Sequence, residues 1–109
     1  MSNAPLPPKL SEEQRRVALV KAVDARRKRA DLKQDLRTGK VSLSEVLVQT
    51  SNDMVGRMRV AAVLEAMPGI GPARAQRLME RLEISGTRRM RGLGQRQIDS
   101  LLKEFTQNI

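Results

Sequence analysis

The sequence predicts an all-α protein: a long basic N-terminal helix followed by a compact helical core built around two similar glycine turns. Three observations carry that expectation. Residues 12–38 contain neither proline nor glycine, so nothing in the chain stops a helix there. Phe105 is the only aromatic residue, which leaves the core to Leu, Val, Ile, Met and Ala and suits helices. GIGPARAQRLMERL (69–82) aligns without a gap on GLGQRQIDSLLKEF (92–105), each a glycine turn running into an amphipathic stretch.

Taken in chain order, residues 1–10 carry three prolines and read as a disordered tail. Ser11 and Gln14 have capping-box spacing at the head of the first helix, and Gly39 supplies its stop. A helix of about 26 residues is about 39 Å long. On a helical wheel Ala18, Ala25, Leu32 and Leu36 form one narrow apolar row. Arg15, Arg26, Arg29, Lys33 and Arg37 form a neighbouring basic row. A face so thin cannot be buried along its whole length, so the last turns are expected to pack on the core and the first turns to project. An Asp24–Lys28 pair at i,i+4 is expected on the exposed side.

Val41–Thr50 reads as a short helix capped by Ser42 and Glu45, with Leu43, Val46 and Leu47 inward. Segment 54–67 reads as one further helix, buried mostly from Met58 to Met67 and ended by Pro68. Pro72 is suited to the first turn of the next helix, which buries Ala75, Leu78, Met79 and Leu82. Residues 84–94 read as a loop, and 95–105 as the last helix. The organisation expected is a single domain over 11–109, with the long helix at 11–39 and the core at 56–105.

The charge narrows the function. Twenty-one basic residues against 12 acidic ones give a net charge of +9 in 109 residues, which points to a polyanionic partner. Cysteine and histidine are absent, which excludes thiolate and imidazole chemistry and most zinc sites. No apolar run approaches the roughly 20 residues of a membrane span, and residues 1–8 do not read as a secretory leader. The near-absence of aromatics argues against single-strand binding by base stacking.

The glycine turns supply a means of gripping an anion. Glycines let backbone approach another surface closely, and a helix N-terminus presents free N–H groups at the positive end of its dipole. Such a seat ignores base identity and holds sugar–phosphate. A single turn of this kind is usually an ordinary helix connection. Two aligned copies, with Arg88, Arg89 and Arg91 between them, favour a phosphate-binding pair, since arginine forks onto phosphate or enters a narrow minor groove. Gly69, Gly71 and Arg74 at the first turn, and Thr87, Arg88, Arg89, Arg91, Gly92 and Gly94 at the second, are the candidate contacts. Arg57 and Arg59 flank them. The basic row of the first helix is a candidate second surface.

GRMRVAAVLEAMPGIGPARAQRLMERLEISGTRRMRGLGQRQIDSLLKEF (56–105), together with the LSEEQR and ARRKRADLK segments upstream, resembles the actinobacterial integration host factors. The selective pieces are the P-x-h-G turn, T-R-R-h-R-G-L-G and the long basic first helix. The tail and the linker around Val41–Asn52 depart from the pattern. The resemblance implies a helix-two-turns-helix core akin to that of a small-subunit ribosomal protein. It also implies a cytoplasmic, nucleoid-associated architectural protein, without enzymatic activity or cofactor. Such a protein binds double-stranded DNA with little sequence preference, shapes or compacts it, and assists phage integrase and recombination complexes. It is expected to be a monomer in the absence of DNA and not to bind membranes. The alternative reading is a structured-RNA or ribosome-binding protein, because A-form duplexes offer similar phosphate tracks. An enzyme reading lacks a clustered carboxylate set, and Asp99 and Glu104 read as surface residues of the last helix.

Overall fold

A computed structural model describes residues 11–106. The tail expected at 1–10 and the last three residues lie outside them. Among the described residues the regular elements are helical: α1 (Glu12–Thr38), α2 (Leu43–Leu47), α3 (Asp53–Arg57), α4 (Val60–Glu65), α5 (Pro72–Arg81), a 3₁₀ turn (Met90–Gly92) and α6 (Gln95–Thr106).

Local chemistry sets the ends of α1. The Ser11 hydroxyl accepts from the Gln14 amide, and the Gln14 side chain accepts from the Ser11 amide. At the other end Gly39 takes φ 81°, a left-handed conformation natural to glycine, and its N–H donates to Leu36 O. Residues 11–21 are exposed throughout, whereas Leu32 packs against the core and Leu36 is buried in it. The first turns of α1 therefore project, and the described chain is 64 Å long but only 28 × 24 Å across. Asp24 and Lys28 form the expected i,i+4 pair at 3.2 Å.

The core gathers Leu36, Leu43, Val46, Leu47, Val55, Val60, Val63, Leu64, Ala75, Leu78, Met79, Met90 and Leu101. No charged or polar side chain is buried among the described residues. Burial of each large aliphatic side chain is worth about 1.5–3 kcal/mol, so this cluster supplies the main driving force.

Segment 54–67 differs from the single helix expected of it. It splits into α3 and α4, with Met58 (ψ 144°) and Arg59 (ψ 140°) extended between them. The break is caused from a distance. Arg59 forms an antiparallel bridge with Arg89; the Val60 amide donates to Arg88 O at 2.9 Å and the Met90 amide to Met58 O at 2.8 Å. Three residues before Pro68, α4 also ends, tightening into i→i−3 bonds from Ala66 and Met67. The α5 helix closes without glycine: Glu83 adopts φ 58°, and the buried Ile84 donates to Met79 O at 2.8 Å.

Candidate nucleic-acid interface

The two glycine turns have the same skeleton. Ile70 and Leu93 sit between the glycines, are each 9% exposed, and donate to Met67 O and Met90 O, both at 3.2 Å. The helices then start in register, with Ala75 donating to Gly71 O at 2.9 Å and Ile98 to Gly94 O at 3.0 Å. Leu78 and Met79 in α5, and Leu101 in α6, are buried as the alignment requires, while Leu82, Ile98, Leu102 and Phe105 pack partly against the core.

At the first turn the backbone is open. Gly69 takes φ 76°, and a Cβ built on Gly69 or Gly71 would meet nothing within 4 Å. Nothing internal demands glycine at Gly71, whose φ of −89° suits any residue. Its bareness leaves room for another surface. Among the described residues the N–H groups of Gly71, Ala73 and Arg74 have no acceptor, and α5 has no side-chain cap. Arg74 bends back, donating from Nη1 to Gly69 O at 3.4 Å.

The second turn is laid out differently. The glycine amides are not free: Gly92 donates to Arg89 O at 2.9 Å, and Gly94 to the Gln97 side chain at 3.0 Å. The closing 3₁₀ turn uses the first, and a half capping box uses the second. The unpaired donors lie one step further on, at Gln95, Arg96 and Gln97. Arg88 donates from Nη1 to Gly92 O at 2.8 Å, so a Cβ on Gly92 would stand 3.1 Å from the Arg88 Cδ.

The bridge brings the arginines together. Arg89 donates from Nη1 to Arg57 O at 2.6 Å across 32 residues of sequence, while Arg59 pairs with it through backbone. Arg91 lies over Gly56, where a Cβ would be 2.5 Å from Thr50 O and 3.1 Å from Arg91 Cβ. So Arg57, Arg59, Arg89 and Arg91 share the α3–3₁₀ junction, with Arg88 beside them. Arg57 also pairs with Asp53 at 3.1 Å. The Thr87 hydroxyl is exposed, 3.2 Å from that of Ser85. Exposed along α1, Arg15, Arg26, Arg29, Lys33 and Arg37 have no ion-pair partner among the described residues.

Three residues escaped the sequence reading. Arg77 stands with Arg74 and Arg81 along one groove beside Ile70 and Phe105, a spacing of i, i+3, i+7 that was legible. Gly56 and Gln97 act behind the site, and only the packing exposes the first of them.

The comparisons fit this geometry. The S13-like H2TH domain family matches residues 36–105, which hold both glycine turns and the bridge. Integration host factor of Streptomyces coelicolor is 54% identical over 101 residues, 92% of this chain and 94% of its own. The chain belongs to the actinobacterial integration host factors. Family members of the same name from Mycolicibacterium smegmatis and Mycobacterium tuberculosis are each 50% identical, over 93% and 90% of this chain and 97% and 94% of theirs. A solved structure of sIHF bound to an 8-bp palindromic DNA superposes with a TM-score of 0.76 at 52% identity, covering 78% of this chain and 97% of that one. The all-helical fold expected from the sequence is the fold of that integration host factor. No described helix is long and apolar enough to cross a membrane.

Proposed function

We propose that this integration host factor is a sequence-nonspecific architectural protein of the nucleoid that binds double-stranded DNA by its backbone. One observation carries the reading most: five arginines gather on a bridged loop beside a helix start whose N–H groups have no acceptor, in a chain similar to a protein solved on duplex DNA. Arg57, Arg59, Arg88, Arg89 and Arg91 hold one stretch of phosphates or enter the minor groove. Gly69, Gly71 and Arg74 hold another through main-chain donors. Thr87, Gly92 and Gly94 shape the second turn. Residues 56–105 act as the gripping unit of one domain, and the basic row of α1 (Arg15, Arg26, Arg29, Lys33, Arg37) is a second DNA surface. Two surfaces on one monomer let it bend or bridge duplexes, and so compact the chromosome in the cytoplasm and assist phage integrase and recombination complexes. The protein acts by binding, without turnover or cofactor.

Fluorescence anisotropy on matched duplex DNA, single strand and duplex RNA at two salt concentrations tests the reading. Duplex DNA is bound most tightly, and log affinity falls against log salt with a slope of about −0.9 per phosphate contacted. Equal affinity for duplex RNA, or no retention of duplex DNA at low salt, overturns it.

A further inference from the structure

The outer half of α1 carries a feature that DNA binding leaves unused. Among the described residues five large apolar side chains are strongly exposed, and four of them, Val17 (48%), Leu19 (65%), Val20 (63%) and Val23 (50%), fall within seven residues of this one helix. Scattered exposed apolar residues need no explanation, but a contiguous stripe on a projecting rod does. Leu19, Val20 and Val23 line a shallow groove with Asp24 and Arg27. By helical spacing Val20 and Val23 lie across the helix from Leu32 and Leu36, which face the core, with Val17 beside them, while Leu19 falls in line with Arg26 and Arg37 of the basic row. Val17, Val20 and Val23 are therefore free while both proposed DNA surfaces are occupied.

We propose that this stripe pairs with the same stripe of a second copy, the two α1 helices lying antiparallel about a two-fold axis at Val20. The charges select that arrangement. In α1, Glu12 and Glu13 stand at one end of the stripe and Arg26, Arg27, Lys28 and Arg29 at the other. Antiparallel pairing about Val20 sets Glu13 opposite the partner's Arg27, Val20 opposite Val20, and Val17 level with Val23. Parallel pairing would stack the two basic blocks on each other. An isologous contact of this kind closes at two copies and does not polymerise. Its small area makes it weak in dilute solution, and effective when two copies are held near each other on one DNA. From Val20 to Leu32 is twelve residues, so the two cores stand about 36 Å apart along the paired helices, close to one turn of B-form duplex at about 34 Å. The pair is a two-ended clamp with matched faces toward one turn of DNA. The inference rests on the proposed DNA binding only for what brings the copies together.

Cysteine is absent from the sequence, which makes disulfide trapping clean. Full-length V20C, E13C, R27C and V48C proteins are oxidised on a long duplex at high protein density, and again at high protein concentration without DNA. V20C is expected to cross-link about tenfold faster than V48C, although the Val48 side chain is the more open of the two, at 78% against 63% exposure, and lies away from α1 at the end of α2. E13C mixed with R27C gives the heterodimer, and neither alone gives a homodimer. V20D lowers cooperativity on long duplex but leaves affinity for a duplex that holds one copy within about twofold. Homodimers of E13C or R27C, or equal rates for V20C and V48C, overturn the pairing. Slow alkylation of the V20C thiol without cross-linking would assign the stripe to the chain's own first ten residues and also overturns it. Loss of all duplex binding instead contradicts the proposed function, while the DNA-free oxidation still reads the pairing.

Discussion

The two glycine turns share spacing, hydrogen-bond skeleton and helix start, yet they offer a ligand different things. At Gly69–Gly71 the main chain is bare, with three N–H groups unpaired and open space where side chains would be. At Gly92–Gly94 both glycine amides are used internally, the unpaired donors are shifted onto Gln95, Arg96 and Gln97, and guanidinium groups dress the turn. The comparison teaches that duplicated backbone does not imply duplicated chemistry. Under the proposed DNA binding, the first turn meets phosphate through main-chain donors beside bare glycines, and the second through guanidinium groups in front of the free Gln95, Arg96 and Gln97 amides. On that proposal the first contact depends on close approach, and the second tolerates distance and weakens more with salt.

The sharpest way to break the contrast is to remove the charge from one turn only. Replacing Arg88, Arg89 and Arg91 together by alanine is expected to lower duplex affinity about 100-fold near 0.1 M salt and to reduce the salt slope by about three units. A slope that stays put would mean these arginines do not meet phosphate. Next in size, Gly56→Ala forces a Cβ against Thr50 O beneath Arg91. It should cost about 2–3 kcal/mol of stability by denaturant melting, with amide shifts centred on the second turn and the first left in place.

Gly71→Val tests the bare turn. The fold has room for the side chain, so the melting temperature should hold within a few degrees while affinity falls about tenfold on every duplex sequence. Unchanged affinity would remove that turn from the interface. The smallest effect is expected from Gln97→Ala, which frees the Gly94 amide and the Glu83 carbonyl. A loss of about 0.5–1 kcal/mol in stability, with little change in affinity, would show that Gln97 braces the second turn and is not replaced by DNA. A gain in affinity would show instead that the freed amide joins the seat.

Much of the fold was legible because its signals are local. Ser11, Gln14 and Gly39 bound α1, and Pro72 starts α5, through chemistry confined to a few residues. The duplicated glycine spacing placed both helix starts. The break at Met58–Arg59 was not legible, since that stretch is composed of good helix formers and only pairing with Arg89, thirty residues on, pulls it out. For the same reason the convergence of Arg57 and Arg59 with the later arginines appeared in sequence only as flanking charge. The occupied Gly94 amide was half legible: Gln97 stands where a capping-box partner stands, but no serine or threonine marks the cap.

The bridge between Arg59 and Arg89 has a consequence for how binding begins. Two main-chain bonds and the Arg89–Arg57 clasp fasten the arginine-bearing strand to the folded body before any ligand arrives. Long side chains on a slack segment would surrender much of their freedom on contact, each at about 0.5–1.5 kcal/mol. Here the main chain and the Arg88 and Arg89 side chains are already held in the folded protein, so that part of the ordering is not left to the moment of binding.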